Sequence, residues 1–163
     1  MVRRRLASRI LLISEANRLL LFNIRYCSGV LAGRCYWATP GGQLRDDETF
    51  ETAAIRELYE ETGIQIQSVG QCVALREFPW QMPDGEQVIA SEQYFVVRVQ
   101  AELCSRGLWS VQEREAVHEA RWWSEAELAS IQEDVFPHGL QSLFATALEN
   151  LPPAVPIGDH GRP

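Results

Sequence analysis

The sequence predicts an α+β domain, a mixed β-sheet flanked by helices. Three observations predict it. Apolar or β-favouring runs open the chain over residues 9–13, 19–24 and 34–39. One stretch with helical apolar spacing follows, over residues 49–62. Strand character then returns, before a last amphipathic segment over 140–148. Strands, helix, strands and helix in that order pack as layers around a shared core.

Each element has a local cause. The first two runs flank Ser14, Glu15, Ala16, Asn17 and Arg18, a polar turn. The third run, rich in aromatic residues, is stopped by Pro40, Gly41 and Gly42. Phe50, Ala54, Ile55 and Leu58 form the apolar stripe of the first helix, with Thr49 as its N-cap and Gly63 as its left-handed C-cap. Residues 64–77 read as strand, and 78–85, holding two prolines and a glycine, as a loop. Strands follow over 94–99 and 120–123, and Ser124 with Glu127 makes a capping box for a short helix. Residues 1–151 are the expected domain, and the proline- and glycine-rich residues 152–163 an expected mobile tail.

Composition narrows the function. The chain has 163 residues and a formal net charge of −7, the wrong sign for a broad nucleic-acid grip. A small polyphosphate remains an acceptable ligand when a divalent cation stands between it and the protein. Cys27, Cys35, Cys72 and Cys104 make no C-x-x-C pair, so zinc is not expected and reduced thiols are. Arg9 interrupts the N-terminal apolar run, and no run is long enough to span a membrane, so the expected location is cytoplasmic.

Residues 42–64 carry the chemistry. Glu57, Glu60 and Glu61 stand at i, i+3 and i+4, on one strip of the helix. Their mutual repulsion weakens the helix unless a cation joins them, and hard oxygen ligands suit Mg²⁺, Mn²⁺ or Ca²⁺ rather than zinc or copper, with Mg²⁺ expected and Mn²⁺ as the alternative. Glu48 precedes the helix and can fold back towards the strip. Arg56 can reach Glu60 or the strand before the loop, and Gly41 and Gly42 allow a sharp turn with close backbone approach.

The same segment is similar to the Nudix hydrolase family. Gly42, Glu48, Arg56-Glu57-Leu58, Glu60-Glu61 and Gly63-Ile64 occupy every fixed position of that family's signature. Asp47 departs from it where many members carry glycine, and aspartate tolerates the left-handed backbone better than most residues. The resemblance implies an α/β/α sandwich and metal-dependent hydrolysis of a nucleoside diphosphate linked to another moiety, ADP-ribose-like among the candidates. It implies metal binding by Glu57, Glu60 and Glu61 with Glu48 in support, and orientation of a glutamate by Arg56. The outer general base is expected among Glu92, Glu113, Glu115 and Glu119, with Glu115 or Glu119 favoured. Gly41, Gly42, Trp37, Phe78 and Trp80 are the expected substrate contacts, with Tyr36 a further stacking candidate. A small nucleotide derivative is the expected partner, not a duplex or a membrane, and a homodimer is left open. Two alternatives stand beside the hydrolase: a catalytically silent sensor module on the same fold, and an isomerase of isoprenoid diphosphates.

Overall fold

The computed structural model describes residues 1–156. The strands are β1 (Arg3–Ser14), β2 (Leu19–Arg25), β3 (Cys35–Ala38), β4 (Gly41–Gln43), β5 (Ala74–Gln81), β6 (Gln87–Val99), β7 (Val117–Trp123) and β8 (Val135–Phe136). The helices are α1 (Phe50–Thr62), α2 (Val111–Ala116), α3 (Glu125–Ala129) and α4 (Leu140–Glu149). The strands form one mixed sheet in the order β5-β6-β1-β2-β3-β8, with β4 added to β1 and β7 to β2.

β1 is the spine. It runs parallel to β6 along its full length, from Arg3↔Val88 to Ser14↔Val99. Its alternating side chains are buried on both faces, as a central strand between two helical layers requires. Ile10 and Leu12 enter one core with Leu20, Phe95, and Ala54 and Leu58 of α1. Leu11 and Ile13 enter the other with Leu21, Tyr94, and Leu143 and Phe144 of α4. The predicted α/β/α layering is therefore what the chain adopts.

On its other side β1 changes partner. Near its end Ile13 pairs with Leu19 of β2. Earlier, Ala7, Ser8 and Arg9 pair with Gln43, Gly42 and Gly41 of β4. β2 thus parts from β1, and a cleft opens along the divergence.

Several elements differ from the sequence reading. Ile64 and Ile66 are buried but lie in irregular chain, and β5 begins only at Ala74. β5 then continues through Pro79 to Gln81, where a loop was expected. Position explains this: β5 is the edge of the sheet, where a residue without an N–H costs no ladder bond. The reversal is delayed to Met82–Glu86, closed by the Gly85 N–H on the Met82 carbonyl. β4, α2 and β8 were not anticipated; each is short, and α2 starts at a Ser110–Glu113 capping box. Of the expected tail, Val155 bridges Val99 and packs against the α1-side core. Residues 157–163 lie outside the described residues.

Candidate active site

α1 presents the carboxylates, and its ends are fixed by the caps the sequence promised. Thr49 Oγ1 accepts from the Thr52 N–H, and Gly63 closes the helix at φ 78°. The last turn is held from outside: Trp109 Nε1 donates to the Glu61 carbonyl (2.6 Å) and the Ser105 N–H to the Thr62 carbonyl (2.9 Å). Those carbonyls have no partner within a helix. At the other end, Ser8 of β1 donates to the Phe50 carbonyl (2.6 Å) and ties the helix to the spine.

The loop between β4 and α1 is held by Arg56. Its guanidinium donates to Glu48 twice (2.8 Å each), to Glu57 (2.9 Å), to Glu60 (3.1 Å) and to the Gln43 carbonyl of β4 (3.0 Å). Asp47 adopts φ 65°, as its tolerance of that region allows. The bonds from Arg56, with help from the Arg45 N–H, hold the Glu48 carboxyl down at about 2 against an ordinary 4.5. A depressed carboxyl stabilises the fold above the unfolded value and loses that contribution as pH falls towards the folded one. Wild type is therefore expected to lose melting temperature between pH 5 and pH 2.5 more steeply than Glu48→Gln. Parallel melting curves across that window would remove the assigned role. Glu57 and Glu61, both shifted upward, act in the opposite sense and are present in both proteins.

Glu61 sits at the floor of the cleft. Its Oε2 accepts the Gly41 N–H at 2.8 Å. Burial, then the charge of Glu57, holds its carboxyl well above the ordinary range, with the Gly41 N–H and Arg9 opposing. Glu57, one turn earlier, lies against Gly42 so closely that a Cβ there would come within 2.5 Å of its Oε1. Glu60 turns instead to Arg45 (3.0 Å) and Arg56. The strip is thus divided: Glu61 meets Gly41, Glu57 lies between Gly42 and Arg56, and Glu60 turns wholly to the arginines. Among the described residues no three or more His, Cys, Asp or Glu side chains converge as a ready-made cage. The donors nevertheless fit a hard divalent ion: two carboxylates whose mutual repulsion a cation would reverse, with no soft ligand among them.

The cleft has a volume of about 900 Å³. Gly41 and Glu61 line it, and so do Tyr36, Phe78, Trp80 and Phe136. These rings meet edge to face, with Tyr36 5.2 Å from Phe136 and Trp80 5.3 Å from Phe136. Glu113 and Glu115 of α2 also line the cleft. Glu113 gives one oxygen to its capping box, accepting the Ser110 N–H, and its charge adds to that pressing on Glu61.

The other expected residues lie elsewhere. Trp37 is buried in the α4-side core with its indole N–H on Glu133, and does not line the cleft. Its neighbour Tyr36 does, because successive strand residues face opposite sides. Glu119, in β7, pairs with Asn23 and is exposed outside the cleft. Glu92 lines the cleft, but Arg9 Nε holds one of its oxygens (2.5 Å) and the Tyr94 hydroxyl the other (3.2 Å).

Arg5, Arg9, Tyr26 and Phe136 were not foreseen as cleft residues. Arg5, Ala7 and Arg9 alternate along β1, so both arginines share a face. Two arginines at strand spacing beside an apolar run were the available signal.

A parallel-spined sandwich, with a glycine turn set against helix carboxylates at the floor of a cleft, defines the class. The NUDIX domain model matches residues 3–142, and the chain belongs to that family. It is 33% identical over 131 residues to the protein designated MutT4 in Mycobacterium tuberculosis, covering 76% of this chain and 51% of that one. It is 47% identical over 49 residues to an 8-oxo-dGTP diphosphatase of Proteus vulgaris, covering 30% of this chain and 41% of that one. The chain thus spans about half the length of these relatives or less. The fold matches the NUDIX domain of Shewanella oneidensis NrtR, complexed with ADP ribose, at a TM-score of 0.62, with 18% identity and 93% and 91% of the two chains covered. Among the described residues no helix is long and apolar enough to cross a membrane.

Proposed function

We propose that this chain is a metal-dependent hydrolase that cleaves the pyrophosphate linkage of a nucleoside diphosphate joined to another moiety. One observation carries the reading: Glu61, anchored on the Gly41 N–H, shares one cleft with the aromatic wall of Tyr36, Phe78, Trp80 and Phe136. Such a cleft suits a ligand with a charged linkage and a flat ring. The diphosphatase and ADP-ribose relatives support a ligand of this class.

Glu57 and Glu61 would hold Mg²⁺ or Mn²⁺, with Glu60 and Glu48 on the arginine side of the strip. A bound divalent ion supplies charge neutralisation at the phosphate oxygens and a more acidic water. Arg56 fixes the direction of Glu57, and Gly41 fixes that of Glu61. Glu115 faces the same cleft and receives the proton of the attacking water. The new oxygen–phosphorus bond forms in line as the bridging oxygen leaves with the other phosphate. Positioning and electrostatics do most of the work.

The test is incubation with Mg²⁺ and a panel of ADP-ribose, nucleoside triphosphates and dinucleotides, with products resolved by ³¹P NMR. Release of nucleoside monophosphate products, abolished by chelation, is expected. Binding without turnover across the panel would favour the sensor module instead, a reading to which the Arg56 pairs with Glu57 and Glu60 lend weight.

A further inference from the structure

Among the described residues no hydrogen bond or ion pair engages the Arg5 guanidinium. Its Nε is buried and makes no hydrogen bond among the described residues. The nearest carboxylate that could serve it, Glu92, has both oxygens engaged by Arg9 and Tyr94. Arg5 nevertheless lines the cleft. A buried donor left unpaired is costly unless a ligand completes it.

The surroundings say what kind of ligand. In register across the sheet, Arg5 faces Ala90 of β6, which faces Phe78 of β5. Neighbouring strands stand roughly 4.8 Å apart, so Arg5 and Phe78 flank small Ala90 on one face of the sheet, and all three line the cleft. Trp80 follows Phe78 on the same face, with ring centroids 6.0 Å apart, and the Tyr36 ring stands 5.8 Å from Trp80. A phosphate would gain nothing from this aromatic wall. A flat heterocycle would gain stacking, and its edge would meet Arg5.

We propose that Arg5 reads the base of the substrate and makes the cleft select guanine over adenine. A guanidinium presents a planar fork of donors. Guanine offers two adjacent acceptors, O6 and N7, to such a fork, whereas adenine sets an N6 amino donor where O6 would be. The inference rests on the nucleotide reading of the cleft and names the base within it. Arg5 is a specificity residue, remote from the carboxylates that Glu57 and Glu61 supply.

The test is metal-free calorimetric titration of the full chain with GMP, AMP and inorganic pyrophosphate. Wild type is expected to bind GMP at least about tenfold tighter than AMP. Arg5→Gln is expected to weaken GMP about tenfold or more, to leave AMP within about twofold, and so to erase the preference. Arg5→Lys keeps the charge and loses the fork, and is expected to lose the preference as well. It provides the readout if the glutamine variant does not fold. Equal wild-type affinity for GMP and AMP would overturn the proposal, as would a preference surviving in either variant. Pyrophosphate binding weakened as much as GMP binding would instead assign Arg5 to phosphate. A guanine preference in a protein that hydrolyses nothing would sustain this inference while removing the hydrolase.

Discussion

Glu61→Gln is expected to lower kcat on the order of 10³-fold on whichever nucleotide the panel identifies, with the melting temperature changed by only a few degrees. The substitution keeps shape and the acceptor for the Gly41 N–H (2.8 Å). It removes the negative oxygen that a divalent cation needs. Because burial and Glu57 both press against the charged form of Glu61, neutralising it relieves the free protein and harms only the loaded one. That opposition of stability and activity is the diagnostic. A folded Glu61→Gln enzyme with near-normal turnover would refute the metal-ligand assignment. A matched control is Glu119→Gln, outside the cleft, expected to retain turnover within about twofold.

Gly41→Ala is expected to be the most damaging glycine-to-alanine change among the described residues, costing about 4 kcal/mol or more. Gly41 holds φ 139°, where a side chain is strained. Space is also lacking: an added Cβ would overlap the Ser8 carbonyl and lie 2.8 Å from Arg9 Cα. Both obstacles are backbone of β1 and cannot swing aside. The β4 pairing at Arg9↔Gly41 would open, and the N–H that anchors Glu61 would move with it. Urea denaturation should show the lowered midpoint, and any soluble Gly41→Ala protein should have lost activity beyond its lost stability. Gly42→Ala meets only the tip of the Glu57 side chain, 2.5 Å away at Oε1. It is expected to cost less in folding and to act chiefly on turnover.

The helix and its chemistry were legible in the sequence because both are local. Spacing alone puts Glu57 and Glu61 one turn apart, and Thr49 and Gly63 mark the ends. What the spacing could not show is which way each carboxylate turns. Arg56 and Arg45 draw Glu60 aside, and no residue-by-residue period encodes that competition. The second wall of the cleft was less legible still. It is assembled from β1, β3, β5 and β8, and strand pairing at long range decides which aromatic faces inward. Tyr36 and Trp37 are adjacent in the chain, and a one-residue difference in pleat sends one to the cleft and the other to the core. The end of β5 was misplaced for a related reason: a proline reads as a stop until its strand is known to be outermost. Arg9 was visible only as an interruption of an apolar run and Arg5 only as one of three basic residues before it, since the carboxylate that claims one and leaves the other lies on β6.

Phe78 and Trp80 stand on that outermost strand, bonded to β6 alone, while Glu57 and Glu61 sit on a helix locked into the interior. The two halves of the cleft therefore differ in how freely they can change. Residues on a peripheral strand can be exchanged with little disturbance to the spine, whereas the helix end tolerates almost none. A lineage could retune how tightly a ring is stacked through β5 while its bond-breaking apparatus and Arg5 on the spine stayed fixed, and a directed library confined to residues 76–82 would alter ring affinity without touching either.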